Sequence, residues 1–206
     1  MANRNTQGFG LVAAGTLGST PATSGQGKYK IDAGYGTTIY NSGMVKSAAG
    51  YIVDGQTAAA PVIGALNGIF YNAATTLKPT FANFYLATIT PANSEDITAF
   101  VMDNPQQQYV CATDANVAQA GFLETYDMNS SAGDDINGRS RGTLDIGVTG
   151  NDSKSLRLLR SAEDPENEDL ITTPQTNAAL ANFSGMASVV VVVNKSQWFG
   201  TGTVGA

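Results

Sequence analysis

The sequence predicts a mainly β protein, a single barrel-like or sandwich-like domain with an extended N-terminal arm and few short helices. Three observations carry that expectation. Short apolar runs alternate with turn residues along most of the chain, no long stretch keeps a helical period, and charged residues make up only 14% while glycine occurs 23 times. At 206 residues the chain is long enough for one large β domain with a real core. The expected layout is an arm over 1–27, a β domain over 28–199 and a flexible glycine-rich tail over 200–206.

Residues 1–27 are rich in Gly, Thr, Ser, Gln and Asn, with Gly8-Phe9-Gly10-Leu11-Val12 as the one apolar island. Such a segment cannot build a core of its own, so it reads either as a loose terminus or as an arm that pairs with, or lies along, a neighbouring subunit, with Phe9, Leu11 and Val12 as its contacts. Close-set strands follow at 29–31, 38–40, 44–46, 51–53, 62–64 and 69–71. Ser42-Gly43, Asp54-Gly55 and Asn67-Gly68 supply the positive φ angles of tight hairpins, which implies up-and-down pairing.

A second group of strands is expected at 84–90, 97–102, 108–113, 122–127, 143–148, 155–160 and 187–194. In Leu156-Arg157-Leu158 the two leucines share a face and Arg157 points away. The run Val189 to Val193 reads as a strand covered on both sides. Residues 129–141 and 161–176 break the pattern as surface loops, and short helical turns fit only around 115–120 and 176–182.

Composition excludes several functions. The formal net charge of −6 lacks the basic footprint of a nucleic-acid binder, so no nucleic acid is expected as a partner. No histidine is present, which removes His-dependent triads and His metal sites. Cys111, the sole cysteine, sits in a strand-like run as a buried structural thiol. The N-terminus lacks a signal-peptide pattern and no apolar run is long enough for a membrane helix, so no membrane association is expected.

The remaining motifs are weak. Gly200-x-Gly202-x-x-Gly205 fits a dinucleotide-loop string, yet no helix follows to receive a phosphate, so no cofactor is expected. The acidic run Glu163 to Asp169, like Asp134-Asp135, lacks the spacing of a calcium loop, and no metal is expected. A glycosidase pair cannot be picked from 17 carboxylates by sequence. Trp198 and Tyr29, Tyr35, Tyr40, Tyr51, Tyr71 and Tyr85 could stack on sugars if exposed in a row, though such residues more often fill a β core or an interface. No catalytic residue is expected.

The run Lys28 to Lys46, followed by Gly50 to Val53 and Pro61 to Tyr71, then Ala99 to Pro105, Tyr109 to Cys111, Gly138 to Ser140 and Leu156 to Leu158 before the Val189 strand, resembles the capsid decoration (cement) proteins of tailed bacteriophages. That family is encoded near the major capsid protein. The likeness covers most of residues 28–195 and rests on the order of its motifs. It implies a structural virion protein on the capsid exterior, made in the host cytoplasm, binding the major capsid protein and itself as a trimer or dimer. A receptor-binding or glycan-binding module of a tail fibre or spike is the alternative from another class.

Overall fold

A computed structural model describes residues 7–18, 25–56, 61–129, 132–147, 154–162 and 186–198. The chain is mainly β, as its pattern predicts, with two antiparallel sheets in a sandwich-like arrangement. Among the described residues the helical content is two single 3-10 turns, Ala92–Ser94 and Gln119–Gly121.

The five-stranded sheet holds β1 (Val12–Thr16), β8 (Gln107–Ala112), β11 (Ser188–Val193), β10 (Leu156–Ser161) and β9 (Thr125–Tyr126), in that spatial order. The six-stranded sheet runs β2 (Gly27–Ile31), β7 (Ile97–Met102), β5 (Gly64–Asn72), β3 (Met44–Ala48) and β4 (Tyr51–Asp54), with β6 (Pro79–Ala82) also on β5. Neighbours in space are mostly distant in sequence, so the expected up-and-down pairing is corrected. Alternating burial marks β2, β6, β7, β8 and β10: in β7 Ile97, Ala99 and Val101 are buried while Thr98 and Phe100 are partly exposed. Leu156 and Leu158 are buried on one face, and all of Val189 to Val193 is buried.

Of the predicted turns Ser42-Gly43 forms, with Ser42 at φ 62° and Gly43 donating to the Tyr40 carbonyl at 2.9 Å, while the others fall differently. The β3–β4 turn is Ala49-Gly50, whose φ angles of 50° and 86° match the right-handed twist of the strands. Asn67-Gly68 is no turn but a bulge inside β5, where the register against β7 shifts between Leu66 and Gly68. The extra residue lets Leu66 and Ile69, three apart, share one buried face, and turns Phe70 to the opposite one. The expected strands at 38–40, 84–90 and 143–148 reduce to isolated bridges, Ile39 to Tyr85 and Leu144 to Thr113 and Met128. The segments carrying Ile39 and Tyr85 instead fold over the six-stranded sheet and close its core.

Two buried clusters result. One joins the inner face of the five-stranded sheet (Tyr109, Cys111, Leu156, Leu158, Val189, Val191) to Met44, Ala65 and Met102 of the other sheet. The second lies on the far face of the six-stranded sheet, around Leu66, Ile69, Ile97 and Val101. Tyr109 pins the sheets where β7 passes into β8, its hydroxyl donating to the Met102 carbonyl at 2.8 Å. Gly64 is obligatory there, since a Cβ would lie 1.8 Å from that same carbonyl oxygen.

The N-terminal arm is the main correction. Residues 8–18 belong to the domain: β1 pairs with β8, Leu11 donates to the Ser42 carbonyl at 2.7 Å, and its side chain is fully buried in the first cluster. Val12 pairs with Val110, and Phe9 lies half-buried beneath the Arg139 guanidinium, 5.6 Å from its ring centre. The apolar island finds its surface within its own chain, because Leu11 completes the Met44 and Leu144 cluster. Leu11 is therefore not free to anchor a neighbour, whereas the half-buried Phe9 and Val12 remain at the edge of the sheet. The tail over 200–206 and the expected helix at 176–182 lie outside the described residues.

Truncating residues 1–16 strips an edge strand and Leu11, so it should lower the melting temperature. Leu11→Ala alone should cost about 2–5 kcal/mol in urea unfolding; a loss below about 0.5 kcal/mol would show that the segment does not pack as described.

Candidate functional site

The five-stranded sheet covers one face of the six-stranded sheet only at its Met44, Ala65 and Met102 end. Farther along that face, β6, β5 and β7 present Phe81, Phe70 and Phe100. Phe81 sits opposite Phe70 in the β5–β6 register, ring centres 4.8 Å apart at 50°, and lies 6.2 Å from Phe100 at 20°. Phe81 is 73% exposed. Phe100 stands opposite Gly68 of the bulge, and the missing side chain there opens a groove of about 420 Å³ between Phe81 and Phe100. Gln26, Asn67, Ile69 and Asn83 complete its lining, so its rim carries amides and no charge. Lys28 pairs with Phe100 in the β2–β7 register, is exposed, and makes no ion pair among the described residues.

Beside the groove, residues 134–139 form a tightly bonded loop. Asp134 accepts from the Ile136 backbone N–H at 2.9 Å and the Asn137 amide at 3.1 Å, and its main chain bonds Gly138 and Arg139. Accepting the Ile136 N–H holds the Asp134 carboxyl below its ordinary pKa; burial opposes it, and Asn137 and Arg141 add to the lowering. Asp135 accepts the Tyr40 hydroxyl at 2.7 Å, which is the main cause pushing that phenol up to about 12. Asn83 donates to the Asn137 carbonyl at 2.7 Å, tying the loop to the groove's rim. Gly133 and Gly138 press so closely on the rings of Tyr40 and Phe84 that a Cβ at either would lie 2.2 Å from them. At the tip Ile136 is 96% exposed.

The aromatics singled out in the sequence form no row. Tyr85 is fully buried, Tyr40 stacks on Phe84, and Tyr51 reaches Asp96 at 3.3 Å. Tyr29 and Trp198 meet at the sandwich edge, ring centres 6.0 Å apart, held by the Asp103 carboxylate and carbonyl respectively. Asp134 and Asp135 serve the loop. The acidic run 163–169 and the glycines at 200–205 lie outside the described residues. Among the described residues, no three Cys, Asp or Glu side chains gather as a cation site. The missed signal was the outer face of β7, where Phe100 and Met102 are apolar beside the single polar Thr98, more than a strand with one covered face needs.

The geometry thus defines a β-sandwich with an exposed aromatic face. No known protein family, curated protein or solved structure matches the chain.

Two outcomes follow. Phe81→Ser should change unfolding free energy by less than about 1 kcal/mol, the scale of a cross-strand pair, because its ring is mostly in water; a larger loss in urea titration would mark it as core. Burial pushes the Cys111 thiol from 9.0 up to about 12, and burial likewise raises Tyr109. The folded chain therefore holds a proton that the unfolded chain releases near pH 9. Stability from this source is intact below pH 9 and lost as pH climbs toward 12. The urea midpoint should fall between about pH 8 and about pH 11, and less steeply in Cys111→Ala; equal slopes would remove the thiol from the account.

Proposed function

We infer that this chain is a structural, non-catalytic virion protein that decorates and stabilises the outside of a tailed-phage icosahedral capsid by bridging major capsid protein subunits. The observation that carries the reading is the uncovered aromatic half of the six-stranded sheet. An exposed Phe gains about 1.5–3 kcal/mol gross when buried, and flat rigid aromatic strips are what protein interfaces use as anchors. A sandwich supports such a strip with little loss of conformational freedom on docking. Many copies on one shell make even a modest surplus count. The resemblance of the run from Lys28 to Val193 to capsid decoration proteins points the same way.

One observation favours a second reading, a glycan-binding or receptor-binding module of a tail fibre or spike. The groove sets uncharged amides of Gln26, Asn67 and Asn83 beside two aromatic rings, a combination suited to a neutral, hydroxyl-rich ligand.

The two are separated by one experiment. Purified protein should co-sediment with heads lacking it and raise the temperature at which they rupture, while heads assembled without it still form. Binding to bacterial envelopes or immobilised glycans, with no binding to heads, would replace the capsid reading by the second.

A further inference from the structure

We propose that the Phe81–Phe100 groove binds a neutral glycan, a pyranose laying its C–H face on the Phe81 ring while its hydroxyls meet the amides of Asn67 and Asn83, and that Asn41 is the residue that fixes the shape of this site. The inference rests on the glycan reading of the groove and adds the ligand class, the contacts and the positioning residue. It holds equally for a protein seated on a capsid.

The bulge builds the site. In an unbroken strand Asn67 and Gly68 would face opposite ways, yet both line the groove, because the register shift between Leu66 and Gly68 turns one more residue toward this side. Gly68 gives depth opposite Phe100, and Asn67 places a hydrogen-bonding group at the same spot. Asn41 then sets the rim. Its side-chain amide donates to the Asn67 carbonyl at 2.9 Å and to the Asn83 carbonyl at 3.2 Å, so one residue holds the two sides at a fixed spacing. The Asn41 side-chain oxygen accepts from the Ser42 hydroxyl at 3.2 Å, which orients that amide. Asn83 is held a second way: its Nδ2 donates to the Asn137 carbonyl at 2.7 Å, which turns Oδ1 into the acceptor left for a ligand. Polar groups fixed beside an exposed ring need little reordering when a ligand arrives.

The lining also selects the ligand. The negative face of an aromatic ring attracts polarised C–H groups, and Phe81 is 73% exposed. Amides donate and accept, which suits hydroxyls and leaves a purely apolar chain with unmatched polar neighbours. No charged residue lines the groove; Lys28, paired with Phe100 from the adjacent strand, lies outside the lining. On a chain of net charge −6 a carboxylated or phosphorylated polymer gains no counter-charge in the groove and is repelled by the protein as a whole. A volume of about 420 Å³ suits a short stretch of sugar rings.

The test is affinity electrophoresis of the full chain through gels holding a neutral glucan, galactan or mannan, or acidic polygalacturonate, followed by titration calorimetry with the hexasaccharide of the polymer that retains it. A neutral polymer should retard the protein and polygalacturonate should not. Phe81→Ala and Asn67→Ala should each weaken binding roughly tenfold or more with little change in melting temperature. Asn41→Ala should weaken it too, and Asn41→Gln, which keeps the donating amide, should recover part, both measured well below their melting temperatures. Phe81→Ala with wild-type affinity, an Asn41→Gln protein no better than Asn41→Ala, or tighter binding of a decaproline peptide than of the hexasaccharide would overturn the proposal. Retention by polygalacturonate alone would overturn it while leaving a glycan-binding module standing, and retention by none of these polymers would sink both. Co-sedimentation with heads decides the capsid reading separately.

Discussion

The bulge in β5 is the constraint on which the rest of the six-stranded sheet depends. β5 bonds to β3, β6 and β7, so any change in its facing is passed to three neighbours. Along an unbroken strand Leu66 and Ile69 would face opposite ways. One extra residue at Asn67-Gly68 puts both into the core, and the same shift sends Phe70 outward to meet Phe81. The groove is a by-product of that geometry, since Gly68 faces Phe100 with no side chain. Core and candidate surface are set by one local irregularity.

The sheets meet obliquely in their coverage. The five-stranded sheet packs onto Met44, Ala65 and Met102 and stops, leaving the phenylalanine end of the same face in solvent. The other face is closed by loops through Ile39 and Tyr85, whose backbones bond each other at 2.8 Å in both directions. Apolar surface in water is unfavourable in proportion to its area. The chain buries Leu11, taken from its own N-terminus, yet leaves Phe81 in solvent. Behind that surface the Tyr109 hydroxyl pins β8 to the Met102 carbonyl of β7, the strand that carries Phe100.

The sequence by itself determined the fold class, the positions of β2, β3, β4, β7, β8, β10 and β11, the two-sided burial of the valine run and the placing of Cys111 in a strand. These follow from turn spacing, β-branched runs and, in β2, β7, β8 and β10, period-two patterning, all local properties of the chain. Only the tertiary structure decided that residues 8–18 are an edge strand, that Asn67-Gly68 is a bulge and that residues 84–90 are a covering segment. Glycine with asparagine permits a turn or a bulge equally, and the choice depends on which partner strand lies alongside. Likewise Leu11 reads as an anchor until the cavity it fills is known. The exposed strip was not legible for the same reason: the alternation places Phe100 on a face, and only the extent of the opposing sheet determines whether that face is covered.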